Sequence, residues 1–334
     1  MVDMLPDNVL LEIFDFYKHD PTSMINIAYK KAWKWGALTQ VCRRWRHIVF
    51  ESPRRLNLQL LCSGPTPTKR LLDIWPPFPI VVTCFLPNPS ADEKGVENVI
   101  AAIERRNRIS EIHISYPHSS TLAKLVARMH EPLPILTYFF LSSSDDSVPV
   151  LPNTFLGGSA PSLREFVLWG IPFPTFPKFA LSATYIHTLS LLDIPPPGYI
   201  SPEVMATSLT ALPNLKYLSF GFRSPLSRPL QSPPPLTRTV LPTLIRLSFT
   251  GVSEYLEGFL ARIHTPLLKQ LTVAFFMDLI FDIPQLRDFV CRTEWLKSPR
   301  QAIVYFSHPA IKIELESRRF EKLGAKGQIG NCHQ

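Results

Sequence analysis

Nucleophiles, bases and metal ligands occur in this sequence, but not at spacings that let them cooperate. The nine histidines and the five cysteines (Cys42, Cys62, Cys84, Cys291 and Cys332) form no C-x-x-C pair, no H-E-x-x-H and no G-x-S-x-G, so the sequence specifies neither a zinc site nor an activated nucleophile. Cys332 and His333 adjoin with no third ligand nearby. "LGGSAP" at residues 156–161 is a lone glycine pair, where a phosphate cradle needs G-x-G-x-x-G or G-x-x-x-x-G-K-[ST]. Asp145 and Asp146 fall in a serine-rich loop, where solvation is expected. No catalytic residue, metal or cofactor is expected. The chemistry left to the chain is recognition by aromatic, aliphatic and arginine anchors, the side chains that dominate protein interfaces.

Such anchors are dense in "LPDNVLLEIFDFY" at residues 5–17 and "ALTQVCRRWRHIVFESPRRL" at residues 37–56. In the first stretch Pro6 suits the first position of a helix, and Asp7 faces the positive end of its dipole. Val9, Leu10, Ile13, Phe14 and Tyr17 recur at i, i+1, i+4, i+5 and i+8, which gathers them on one helical face. Leu38, Val41, Cys42, Trp45, Ile48 and Val49 do the same in the second, while Arg43, Arg46 and His47 point elsewhere. Two amphipathic helices follow, and by pattern alone they pack on each other and on the next domain.

The residue types say more than the period. L-P at residues 5 and 6, an apolar helix, and V-C-R-R-W-R at residues 41–46 together resemble the F-box, the three-helix module with which F-box proteins dock on the adaptor of SCF-type cullin ubiquitin ligases. The resemblance implies that Leu5, Pro6, Leu10, Ile13, Phe14, Leu38, Val41, Cys42 and Trp45 face the adaptor. The link "KHDPTSMINIAYKKAWKWG" is longer than usual, as in fungal relatives, and Trp33 and Trp35 within it are expected to pack inward. An apolar stripe with little chain of its own to cover it can be covered by another protein.

From about residue 106 the sequence repeats. A P-x-L-x-x-L-x-L frame aligns "NRISEIHI", "PILTYFFL", "PSLREFVL", "TYIHTLSL", "PNLKYLSF", "PTLIRLSF" and "PLLKQLTV", which open on Ile109, Leu136, Leu163, Ile186, Leu215, Leu244 and Leu268. Their separations of 27, 27, 23, 29, 29 and 24 residues lie in or near the leucine-rich-repeat range. Each -L-x-L- core alternates like a strand with one buried face and is too short to bury that face alone, so neighbours must stack. "VENVIAAIERR", "TLAKLVARMH", "PEVMATSLTAL" and "EYLEGFLARIH" have helical spacing, and strand, helix, strand units imply parallel strands.

The fold class read from the sequence is therefore α/β: an all-α F-box-like module, then an irregular leucine-rich-repeat solenoid with parallel strands. Its outward strand positions, such as Glu111, His113, Glu165 and Thr188, line one concave face. On it Tyr138, Phe140, Trp169 and Tyr217 are candidate anchors for a protein target, and Arg246 is a candidate charged contact. Leu286, Phe289, Val290 and Leu296 at helical spacing, then the extended runs "AIVYF" and "IKIEL", predict a terminal cap. The expected divisions are the helical module (1–60), a connecting segment with the first solenoid elements (61–105), the repeats (106–282), the cap (283–320) and a mobile tail (321–334).

Composition sets the remaining bounds. With 334 residues, 46% hydrophobic and 19% charged, the chain has the make-up of a soluble globular protein. Scattered cysteines with no signal peptide ahead of them imply reduced thiols in cytoplasm or nucleus. Apolar runs such as "PLPILTYFF" reach about half the roughly 20 residues of a membrane span. The net charge of +8 suits a polyanion. Apart from Arg43, Arg44, Arg46, Arg54 and Arg55, however, the basic residues are spread and lack interleaved aromatics, which argues against nucleic acid. The 34 prolines cluster between apolar runs, where they end strands and helices. The expected function is substrate recognition in an SCF-type ligase, with the adaptor, through it a cullin, and an unknown protein target as partners, and no enzymatic step. The alternative is a leucine-rich-repeat scaffold whose first helices are a structural cap.

Overall fold

A computed structural model describes residues 5–18, 38, 40–51, 58–63, 67–75, 77–86, 92–143, 145, 147–225, 237–276, 283–297, 299–307 and 310–317. Trp33, Trp35, Asp146, the proline stretch 226–236 and the tail from residue 321 lie outside them. The repeat frame forms a sheet. Strands β1 (Leu58–Leu61), β2 (Ile80–Phe85), β3 (Ile109–Ser115), β4 (Tyr138–Ser142), β5 (Glu165–Trp169), β6 (Thr188–Ile194) and β7 (Tyr217–Phe222) lie side by side in chain order. β9 (Arg246–Gly251) and β11 (Gln270–Phe276) continue the series, and every neighbouring pair from β1 to β11 is parallel. The short strands β8 (Thr239–Val240) and β10 (Ile263–His264) pair with each other apart from it.

The residues that open each frame, from Ile109 to Leu268, are all buried. Three positions further along each copy, Ile112, Phe139, Phe166, Leu189, Leu218, Leu247 and Leu271 stand in register and are also buried. Helices lie on this side. In Ser253–Leu260, for example, Tyr255, Leu256, Phe259 and Leu260 at i, i+1, i+4 and i+5 join the cluster made by the strands. Aromatic contacts thread it: Phe139 and Phe166 stack at 5.6 Å, and Phe220 meets Phe249 and Phe259 edge-on at 5.1 Å. Truncating a fully buried ring such as Phe166 to alanine is worth about 3–5 kcal/mol.

Two features depart from the sequence reading. β2 is a full strand whose Ile80 pairs with Ile109, but the register shifts just after that pair, so Val81 partners Glu111. β2 lacks one residue of the frame and so does not share the repeat pattern. The sheet is also not parallel throughout. β13 (Ala310–Ser317) pairs antiparallel with β11, and β12 (Pro299–Ser307) pairs antiparallel with β13, forming the edge. Two residues separate β12 from β13, a link that suits a hairpin and is far too short for a parallel crossover.

Several helices are capped by side chains from elsewhere in the chain. Pro67, His118 and Ile283 precede helices without capping them. Instead Asn98 Oδ1 accepts from the Thr68 N–H at 2.8 Å, and Asp145 accepts from the Ser119 N–H at 2.6 Å and the Ser119 hydroxyl at 2.7 Å. Glu257 accepts from the Gln285 and Leu286 N–H groups at 2.7 and 2.8 Å. Each satisfies donors that a helix start leaves open. Asp145 is thus a structural ligand of a helix and not a solvated loop residue.

Candidate functional site

Helices α1 (Asp7–Lys18) and α2 (Arg43–Glu51) form a unit with its own interior. The Pro6 carbonyl accepts from Val9 N and Leu10 N at 3.1 Å, opening α1. Leu10, Phe14, Leu38, Ile48 and Val49 are buried together, with Leu5, Leu11 and Trp45 packed against them, in a cluster separate from the one beneath the sheet. The Phe14 and Trp45 rings lie 4.7 Å apart. Arg44 ties α2 to the start of α1: its guanidinium donates to Asp7 Oδ1 at 2.7 and 3.2 Å and to the Leu5 carbonyl. Cys42 Sγ accepts from the Trp45 N–H at 3.4 Å.

The apolar stripe on α1 is wider than this interior needs. At about 100° per residue, Leu10 and Phe14 make one column and Val9 and Ile13 the next. The first column is buried. The second is open, with Val9 36% and Ile13 45% exposed. In the second stretch the continuous face expected from Leu38 to Val49 breaks at Cys42, which lies outside the helix, and Val41 is left 59% exposed. Of the positions carried over from the F-box resemblance, Pro6, Ile13 and Val41 are exposed and Leu5, Cys42 and Trp45 half-buried. Leu10, Phe14 and Leu38 are interior and support the surface from below. Val9 belongs with the exposed group, and only the split of the stripe into two columns distinguishes it.

A second surface is the side of the sheet opposite the helices. Glu111, Tyr138, Glu165, Thr188, Tyr217, Arg246 and Gln270 are partners in one row across it. The His113 ring stacks on Tyr138 at 4.4 Å, and its Nε2 is 3.2 Å from the Glu111 carboxylate. Burial, then Glu165 and Glu111, push the Tyr138 phenol up to about 12. The Arg246 guanidinium lies over the Tyr217 ring at 5.7 Å. Phe140 is half-buried beside Val167, and Trp169 stands at the end of β5 in register with Ser142 and Leu192. The face therefore brings Tyr217 and Arg246 together and sets Tyr138 and Phe140 three strands away, about 14 Å by strand spacing. Among the described residues no three His, Cys, Asp or Glu side chains assemble as metal ligands, and no helix is long and apolar enough to cross a membrane.

A sequence model of the F-box-like family matches residues 2–57, the stretch that holds α1, α2 and their shared interior. The N-terminal segment is thus F-box-like, and a mixed α/β sheet follows it. No curated protein matches the chain.

Proposed function

We propose that this chain is a substrate-recognition subunit of an SCF-type cullin ubiquitin ligase. Its F-box-like helices dock on the adaptor, and its sheet, read as a divergent leucine-rich-repeat solenoid, holds a protein target. The observation that carries the reading is the surface of a segment matched as F-box-like: Val9, Ile13 and Val41 stand outside an interior that Leu10, Phe14 and Ile48 already close. Exposed aliphatic anchors at the edge of a small packed module are what a protein interface uses.

The solenoid reading is supported by strands in chain order and by one hydrogen bond repeated at each strand entry. Thr137, Arg164, His187, Lys216, Ile245 and Lys269 each donate from the backbone N–H to the preceding turn, at 2.8 or 2.9 Å. On this proposal transfer chemistry resides in other subunits. This chain contributes binding and orientation, which raise the local concentration of the target's lysines. Work in cytoplasm or nucleus suits Cys62 and Cys84, which are buried as free thiols. The rival reading, a structural cap, requires the apolar sides of α1 and α2 to merge with the sheet's interior; two separate buried clusters favour the ligase reading. Co-expression of the full chain with the cognate adaptor tests it. A complex that survives size-exclusion chromatography is expected, and separate elution of two folded proteins would overturn it.

A further inference from the structure

The chain carries a net charge of +8, yet the open face of its first strands is charged the other way. Across β1 to β6 one row reads Gln59, Val81, Glu111, Tyr138, Glu165 and Thr188, with two carboxylates and no cation. In the row beside it His113 is the only ionisable side chain, and it lies against Glu111. The Glu165 carboxylate meets no cation among the described residues. The first arginine of the face, Arg246, is on β9 and rests on Tyr217.

Apolar surface lies on the same face four residues further along the strands, about 13 Å from these carboxylates. Phe85 and Tyr116 are 40% and 47% exposed and meet edge-on at 5.6 Å, and Trp169 is open at the end of β5. Phe85, Tyr116 and Trp169 give a covering segment apolar side chains to rest on. The electrostatic field selects what does so. An acidic segment laid across β3 to β5 would be repelled by Glu111 and Glu165, whereas a lysine or arginine over Tyr138 would meet both carboxylates and the phenol oxygen between them.

On the reading of this face as the target site, we infer that its occupant is a basic, apolar protein segment. A lysine or arginine sits between Glu111 and Glu165, and flanking aliphatic or aromatic residues lie on Phe140, Val167 and Trp169. The lysine-poor, carboxylate-bearing half of the sheet is the specificity-determining half. The distant Tyr217 and Arg246 pair lies about 14 Å along the row, beyond the reach of a single side chain seated at Tyr138.

The test is selection of a phage-displayed random peptide library on the folded full chain, followed by titration of the leading synthetic peptide. Selected sequences are expected to share a Lys or Arg beside apolar positions. A Glu111→Gln, Glu165→Gln double variant, which keeps side-chain shape, is expected to weaken the peptide roughly tenfold, as is raised salt. Equal thermal midpoints for the two proteins establish that the variant is folded. Acidic or uncharged selected sequences, or equal affinity for the double variant, would overturn the inference. If such sequences still lose binding in Trp169→Ala, the face remains a receptor and only the charge class fails. If no selected peptide responds to any substitution on this face, the target-site reading fails with it.

Discussion

Asp145 and Cys62 show what their surroundings do to an acid. The Ser119 hydroxyl, helped by the Ser119 N–H and His118, holds the Asp145 carboxyl below the usual carboxylate range, against the opposing effect of burial. Arg223 adds a link by donating to the Asp145 carbonyl at 3.0 Å and to Asp193 at 2.9 Å. Since the folded value is depressed, the stabilisation is present above the unfolded value near 4 and is lost as pH falls through the folded one. Asp145→Ala is expected to cost about 1–2 kcal/mol at pH 7 and less at pH 3, read from denaturant midpoints at the two pH values. Equal losses at both would contradict the account. For Cys62, burial pushes the thiol up to about 12, with a small opposing effect from Thr68. Its stabilising effect is full below the unfolded value near 9 and is lost as pH rises toward 12. Native protein at pH 8 is expected to take up iodoacetamide at the exposed Cys291 and not at Cys62, as mass spectrometry would show. Neither environment was legible in the sequence, because Asp145 finds Ser119 across 26 residues.

At the scale of elements, local pattern carried the reading as far as local physics goes. The -L-x-L- period gave strands β3 to β7, β9 and β11 and the buried Ile109 to Leu268 series, because alternation and burial are properties of single strands. It also anticipated the row from Glu111 to Gln270, since stacked copies of one frame keep one register. It passed over β2, where one missing residue breaks the frame, and the extended runs "AIVYF" and "IKIEL" that become β12 and β13 carried no sign of their antiparallel pairing. Helix starts were equally hidden. Ile283 and His118 have no capping side chain to offer, and the caps come from Glu257 and Asp145 in other turns. Glu257→Ala leaves the Gln285 and Leu286 N–H groups open and is expected to destabilise the chain by about 1–2 kcal/mol in equilibrium unfolding. No change would show that solvent satisfies them equally well. In α1 the stripe was legible but its division was not. Whether Ile13 or Leu10 turns inward depends on where α2 lies, and that is set by Arg44 reaching Asp7 and the Leu5 carbonyl.

Among the described residues, one long sheet has an interior beneath it and the N-terminal helices have a separate small interior. A sheet built by adding strands in chain order needs an ending, and the β12–β13 hairpin supplies it by occupying the hydrogen-bonding edge of β11. Ending the chain after Lys297 bares that edge, and light scattering is expected to report association of the truncated protein where the full chain stays dispersed. The separation of the two interiors gives the molecule its proposed division of labour, one part for an adaptor and one for a target. It also makes the central claim testable without disturbing the fold. Titration calorimetry of the full chain and of Ile13→Asp against the cognate adaptor, with thermal midpoints recorded alongside, is the most direct measurement. The account predicts tight binding by the wild type and at least about thirtyfold weaker binding by the variant, equivalent to about 2 kcal/mol, at an unchanged midpoint. Equal affinity of a folded Ile13→Asp protein, or no binding by the wild type, would contradict it.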